Sequence, residues 1–336
     1  MQPDARVPLG RTGLPVTRLG LGLASLGGLF TPVGEAQARA TIDRAWDAGL
    51  RLFDTAPVYG YGRSEARAGR ALRGRPREEL VLCTKVGRLI EPDGPDTQPI
   101  WADPPPGVGP RRDHSYAAVL RSVEESLERV GVDRFDVLHI HDPDEDYAAA
   151  LHGAYPALAA LRERGAVRAV SLGVNHADVA ARFLRDAPAP GPDCVLLAGR
   201  YTVLDQSGLA DLLPLCRERG VAVIAAGVFQ GGLLTGGGSG AGTAAGAGAD
   251  RAAPPDLAAR IAALRAVCER HEVSPLAVAV QFPAAHPAVG SVLIGARTPD
   301  EVTASVGHFR RPVPAALWAA LKAEGLLPRE APVPVP

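Results

Sequence analysis

The sequence predicts an α/β chain closed as a (β/α)8 TIM barrel, on three observations. Short apolar runs alternate with longer stretches of helical period, an order that calls for parallel strands joined by right-handed crossovers. The runs number eight, which closes a barrel. No first strand–turn–helix unit carries GxGxxG followed by an acidic residue, the mark of a dinucleotide-binding open sheet. The 336 residues are read as one domain, 1–336, since such barrels commonly reach about 250 residues and more as a single unit.

Taken in order, the expected strands are Leu19–Leu23, Leu50–Thr55, Leu80–Val86, Phe135–His141, Val167–Asn175, Cys194–Gly199, Val221–Val228 and Ser291–Gly295. Between them, helical spacing predicts Glu35–Ala48, Glu65–Leu72 with Ser64 as its cap, Ser115–Val130, Tyr147–Arg164, Asp178–Arg185, Gly208–Arg219, Asp256–His271 and Pro275–Phe282. Three stretches read as loops. Arg88–Asp113 follows the third strand and is rich in Pro and Gly, and Ala187–Asp193 is short and Pro-rich. Gly231–Pro255 follows the seventh strand and contains GGGSGAGTAAGAGAD. The first and last would sit at the carboxyl face of a barrel, where active sites form. The Gly/Ala tract reads equally as a flexible linker or as a loop that covers a cofactor.

Composition narrows the function. About 46% of residues are apolar, enough for a large core, and the net charge of −1 gives a polyanion no electrostatic hold, so nucleic acid is not expected as a partner. No apolar run reaches the ~18 residues of a membrane span, and MQPDARVPLGRTG lacks the apolar segment of a secretory signal. Cys83, Cys194, Cys216 and Cys268 are far apart with no CxxC, which reads as reduced thiols in a cytoplasmic protein. Oligomeric state is left open.

The chemistry gathers at strand ends. The second strand ends in Asp54 with Tyr59 five residues on, Lys85 lies near the end of the third, and His141 ends the fourth. Strand side chains alternate, so one assignment brings Asp54, Lys85 and His141 to the inner top of adjacent strands. Singly, each has a bland reading: a turn aspartate, a packing tyrosine, a hydrogen-bonded histidine. Lysine is harder to dismiss. The chain holds only Lys85 and Lys322, and burying an ammonium is costly unless a carboxylate pairs with it; Asp54 can be that carboxylate. An ammonium beside a phenol lowers its pKa from about 10, which would let Tyr59 trade a proton with a substrate oxygen while His141 orients that oxygen.

FDTAPVYGYGRSE, LCTKVG, RSVEESLERVGVDRFDVLHIHDPD and VLIGARTPDEV resemble the aldo-keto reductases over nearly the whole chain. LLAGRYTVLDQ and the HDPD ending of strand four resemble the branch that holds L-fucose dehydrogenase, D-threo-aldose 1-dehydrogenase, pyridoxal 4-dehydrogenase and plant L-galactose dehydrogenase. The resemblance implies a barrel, a nicotinamide cofactor (NAD or NADP) and a catalytic tetrad of Tyr59, Lys85, Asp54 and His141. It further places cofactor contacts at Gly22, Ser25, Leu26, Asp54 and Asn175; at Gly227, Val228, Phe229, Gly231 and Leu233; and at Gly295, Ala296, Arg297, Glu301 and Ser305. Trp101 and Tyr201 are expected on the substrate wall.

Three positions depart from the family pattern. Asn175-His176 stands where a Ser-Asn pair usually holds the carboxamide, Ala198 where a glutamine is common, and Ala226 where an aromatic residue stacks on nicotinamide. Glu301 falls near an arginine of many NADP enzymes, and a carboxylate repels a 2′-phosphate, which favours NAD. The expected activity is oxidation of an aldose of the L-fucose, D-arabinose or L-galactose class at its anomeric carbon to a lactone. Other readings are reduction of an aldehyde or ketone, pyridoxal 4-dehydrogenation, and a redox-sensing subunit. A metal-dependent hydrolase built on His139-x-His141 is more remote; no metal ligand set is expected.

Overall fold

Eight parallel strands close on one another in a ring in the computed structural model, which describes residues 1–235 and 254–335. They are β1 (Leu19–Gly22), β2 (Leu52–Asp54), β3 (Val81–Val86), β4 (Val137–His141), β5 (Ala169–Val174), β6 (Cys194–Ala198), β7 (Ala222–Ala226) and β8 (Val289–Gly295). Each pairs with its neighbours in sequence, and β8 returns to β1 through Gly295↔Gly22. All eight expected strands are present, trimmed by a residue or two at most ends. The Gly/Ala tract 236–250 lies outside the described residues.

Alternation sorts the strand side chains into two cores. Leu52, Cys83, Val137, Ala169, Cys194, Leu196, Ile224 and Leu293 point inward. A two-stranded hairpin, Arg6–Pro8 with Pro15–Thr17, inserts Leu9, Leu14 and Val16 into this interior cluster from below and plugs it. Phe53, Leu82, Leu138, Leu172 and Val195 point outward to the helices. The helices are α1 (Glu35–Asp47), α2 (Arg63–Leu72), α3 (Tyr116–Val130), α5 (Ala177–Asp186), α6 (Leu212–Arg219), α7 (Pro255–Arg270) and α8 (Pro275–Gln281), with α4 running from Tyr147–Ala149 through a π turn at Ala150–Ala154 into Tyr155–Glu163. Gly153 lies in that turn, where a Cβ would meet His114 O at 2.5 Å.

The structure corrects the sequence reading at several points. Arg88–Asp113 is not simply a loop: Arg88–Pro92 and Val108–Arg112 pair antiparallel into an arm. Its tip needs Gly94 and Gly109, because a Cβ on Gly94 would stand 2.1 Å from Gly109 O. Ser64 does not cap α2. It lies within the helix and reaches outward, to Leu23 O at 3.0 Å and Thr55 Oγ1 at 2.8 Å, so it ties α2 to two strand ends instead. Two further helices close the chain, α9 (Pro299–Arg310) and α10 (Ala315–Ala323). The start of α9 is written in Thr298, whose hydroxyl accepts from Glu301 N at 3.2 Å, with proline in the first turn. Ser115 does cap α3, accepting from Ala118 N.

The packing of α2 on α3 makes a testable claim. A Cβ on Gly69 would lie 1.9 Å from Val130 O, a backbone atom that cannot rotate away, whereas a Cβ on the left-handed Gly131 meets nothing within 4 Å. Gly69→Ala is expected to destabilise the fold by more than ~2 kcal/mol in urea unfolding, and Gly131→Ala by about 1 kcal/mol, the backbone cost alone.

Candidate active site

The strand register carries four polar side chains to one place. Asp54 ends β2 opposite Cys83 of β3; Lys85, two residues further along the same face, stands opposite His139 of β4; and His141 ends β4. Lys85 Nζ donates to Asp54 Oδ2 at 2.6 Å and to Thr55 O at 2.8 Å, and the side chain is only 2% exposed. Tyr59, from the loop after β2, lays its ring over this ammonium, with Nζ 4.7 Å from the ring centroid. His141 stands edge-on to the same ring, centroids 6.0 Å apart at 83°. The turn that aims Tyr59 depends on Gly60, whose φ is +61° and whose Cβ would fall 2.0 Å from Gly27 O. Only glycine tolerates both.

Burial sets the protonation states. Burial alone would raise the Asp54 carboxyl, but Lys85 and His139 outweigh it and hold it below its ordinary value. Burial would likewise discharge Lys85, and Asp54 keeps it charged, pushing its pKa above the usual lysine range. The two partners therefore stabilise each other as ions. Burial drives His141 well below its ordinary value, and the cations Arg88 and Lys85 add to this, so it is neutral at pH 7. Tyr59 departs from expectation. Burial raises its pKa and Lys85 offsets this only in part, so in the free protein the phenol is less acidic than ordinary tyrosine.

Beneath the tetrad lies His139, 0% exposed, with Nε2 3.2 Å from Asp54 Oδ1. The angle is poor for a strong hydrogen bond, and both ring nitrogens lack a well-formed partner. Asp54, Cys83 and His139 are the one cluster of possible metal ligands among the described residues. It is ill suited to a cation. Lys85 already places a positive charge 2.6 Å from Asp54, and burial holds the Cys83 thiol protonated. The metal-hydrolase reading also loses its paired imidazoles, since His139 faces the carboxylate below the mouth.

Trp101, expected on the substrate wall, packs beside Tyr59. The loop at the tip of the arm folds it over the mouth, 5.5 Å from Tyr59 between centroids, and bridges it to Leu29. Its Nε1 is occupied by Gln98 Oε1 at 2.9 Å, so it presents a ring and not a donor. Tyr201 is a correction. It is 1% exposed and packs on Phe282 and His286 in the layer between barrel and helices, because Gly199 turns the chain after β6 and directs it outward. It offers a substrate no surface.

The expected cofactor positions fall after β7, β8 and β1, three adjacent strands, and so form one arc of the rim, with Asn175 across the mouth after β5. The arc fits a dinucleotide. Gly295 and Gly22 are register partners at its centre, and a Cβ on Gly295 would approach Ser25 Oγ at 3.2 Å, so glycine keeps a shallow cradle open there. Val228 N and Phe229 N make no hydrogen bond among the described residues, which leaves two donors for an anionic group. Leu26, Val228, Ala296 and Ser305 correct the reading in part, because their side chains are buried in the outer core and only their main chain can reach a ligand. Phe229 and Leu233, half-buried beside the same loop, keep exposed surface. The sequence reading missed Arg88 and Asp142, whose signals were an arginine inside a loop and the aspartate of HDPD.

A family model described as the aldo/keto reductase family matches residues 18–324. The chain is 40% identical to pyridoxal 4-dehydrogenase of Microbacterium luteolum, covering 95% of this chain and 97% of that one. It is 37% identical to D-threo-aldose 1-dehydrogenase of a Pseudomonas species, covering 94% and 96%. The solved glycerol dehydrogenase of Gluconobacter oxydans superposes with a TM-score of 0.73 at 25% identity, covering 100% of this chain and 98% of that one.

The mutual dependence of Asp54 and Lys85 can be read from stability alone. Lys85→Met leaves a buried carboxylate unpaired and is expected to cost about 3–5 kcal/mol in urea unfolding. The double variant Asp54→Asn/Lys85→Met should cost clearly less than the sum of the single changes.

Proposed function

The chain belongs to the aldo/keto reductase family and is an NAD(P)-dependent oxidoreductase, and on that premise we propose that it oxidises the anomeric carbon of an aldose of the L-fucose, D-arabinose or L-galactose class to a lactone, with NAD as cofactor. The observation that carries the reading is the buried stack of Asp54, Lys85 and Tyr59 with neutral His141 beside it. A hydroxyl on a carbon that is to lose hydride must also lose its proton. Tyr59 receives that proton; Lys85 stabilises the phenolate during the transfer; Asp54 keeps Lys85 charged; His141 hydrogen-bonds the substrate oxygen and orients it. A nicotinamide cofactor held on the rim would supply the hydride acceptor.

Pyridoxal is the second reading, favoured by the 40% identity to a pyridoxal 4-dehydrogenase. The two substrates share chemistry. An aldose ring is a cyclic hemiacetal, and pyridoxal closes to one through its neighbouring hydroxymethyl group. In both, one C–H and one O–H leave as hydride and proton, and the carbon becomes a lactone carbonyl.

The cofactor preference rests on the start of α9. Glu301 Oε2 accepts from Arg297 N at 2.7 Å, and Glu301 Oε1 pairs with the Arg297 guanidinium at 3.1 Å. The helix end is thus supplied with its own carboxylate and the local arginine is engaged, which disfavours a second phosphate there. Glu301→Ala should lower the KM for NADP by about tenfold or less while changing that for NAD little, since rim charges act through screened electrostatics.

Initial rates with L-fucose, D-arabinose, L-galactose and pyridoxal, each with NAD and NADP, test the reading. Tyr59→Phe is expected to lower the favoured rate by roughly 10²–10⁴-fold. No turnover on the panel, with reduction of aldehydes or ketones instead, would overturn it. The pH dependence follows from the raised Tyr59 pKa. The phenol is protonated at neutral pH, so oxidation, which needs it as a proton acceptor, should rise with pH. Reduction, which needs the proton, should stay level and then fall as pH passes the same value. Tyr59→Phe should erase both limbs.

A further inference from the structure

Asp142 follows His141 directly and is held in an unusual state. Its φ and ψ are 45° and 60°, left-handed for a non-glycine residue, and its N–H donates to Gly173 O at 2.9 Å. One carboxylate oxygen, Oδ2, takes Arg88 at 2.8 Å; the other, Oδ1, accepts from Asn175 Nδ2 at 3.1 Å. Arg88 is 4% exposed and also pairs with Glu145 at 2.7 Å, so it is a fixed, buried cation. A carboxylate can only accept. The amide of Asn175 must therefore turn its nitrogen towards Asp142 and its oxygen away. That oxygen has no donor among the described residues, and the Asn175 main chain is pinned separately by Arg200 Nε at 2.7 Å. Ala198 and His176 stand where the family pattern has a glutamine and an asparagine, so Asn175 is the one amide side chain at these three positions.

We propose that Asp142 is a positioning residue that locks the Asn175 amide with its oxygen outward, so that the site accepts a hydrogen bond from the carboxamide NH2 of the cofactor and discriminates against rings that lack it. The inference rests on the reading of Asn175 as the carboxamide contact. Its logic predicts an inversion. In Asp142→Asn the new side chain turns its oxygen to the Arg88 cation and its NH2 to Asn175. Asn175 must then flip, and the outward group becomes a donor, which a carbonyl satisfies whether it belongs to an amide or to a ketone. Asparagine tolerates the left-handed backbone, so the fold should persist.

The test is calorimetric titration of the full chain with NAD and with its 3-acetylpyridine analogue, in which a methyl group replaces the NH2. The wild type is expected to bind NAD about tenfold more tightly, the scale of one unmade hydrogen bond. Asp142→Asn should bring the two within about twofold, with the acetyl analogue bound more tightly than by the wild type. A merely structural role cannot give that gain. Equal weakening of both probes with the ratio unchanged would overturn the proposal. Asn175→Ala separates the premise: a ratio near one supports it, and a wild-type ratio means that Asn175 does not read the carboxamide, which removes the basis of the inference. Should Asp142→Asn unfold, Asp142→Gly relieves the backbone and removes the carboxylate. A narrowed ratio in that variant supports the proposal, and a wild-type ratio refutes it.

Discussion

A buried ammonium is the constraint from which the rest of this site follows. Lys85 sits inside a closed barrel, above a floor of Leu52, Cys83 and Val137, where water cannot solvate it. Such a charge persists only where opposite charge and acceptors are fixed in place beforehand. Parallel register provides them, because β2 ends opposite Cys83, two residues before Lys85, and brings both Asp54 and Thr55 O within hydrogen-bond distance of its ammonium. The arrangement is worth little as a source of stability, since desolvation consumes most of the Coulombic gain. Its value is a cation held under the Tyr59 ring without a solvent shell.

The barrel divides vertically by polarity, and the division tunes each group. The hairpin at the bottom fills the interior with Leu9, Leu14 and Val16, so the polar layer is confined to the carboxyl end. Low polarisability below and the arm with Trp101 above keep His141 neutral and Tyr59 protonated. The proximity of a lysine is therefore not enough to make a tyrosine acidic. The phenol loses more by desolvation than it gains from the ammonium. A positive ring brought alongside by a bound oxidised cofactor would shift that balance towards the phenolate.

Arginine carries the architecture around this layer. Glu65, fully buried, receives Arg129 at 2.6 Å and Thr84 Oγ1 at 2.7 Å, joining α2, α3 and β3. Arg111 and Arg121 converge on Glu91 to hold the arm against α3. Arg88 links the root of the arm to the segment after β4. A planar guanidinium makes several directed bonds at once, which suits it to buried junctions, whereas a mobile ammonium suits the one place where a point charge is needed. The near-absence of lysine from the sequence has this structural counterpart.

What the sequence determined by itself is the set of local and periodic features. Short apolar runs such as VLCTKV and VLHIH marked all eight strands, the count of eight chose closure, and Asp54, Tyr59, Lys85 and His141 stood out because the placement of one lysine among apolar residues needs an explanation. Helices with a core-facing stripe were legible, whereas α9 and α10 lie beyond the eighth strand, where the strand–helix alternation has ended. Tertiary structure decided whatever depends on groups distant in sequence. Arg88 and Asp142 are 54 residues apart and Asp142 and Asn175 are 33, so no local pattern announces that one carboxylate joins them. Tyr201 was expected on the substrate wall, yet the turn at Gly199 sent it into the outer core. The shift of Tyr59 was misjudged for the same reason: a charge beside a phenol can be read from residue types, but the desolvation that opposes it belongs to the folded surroundings as a whole.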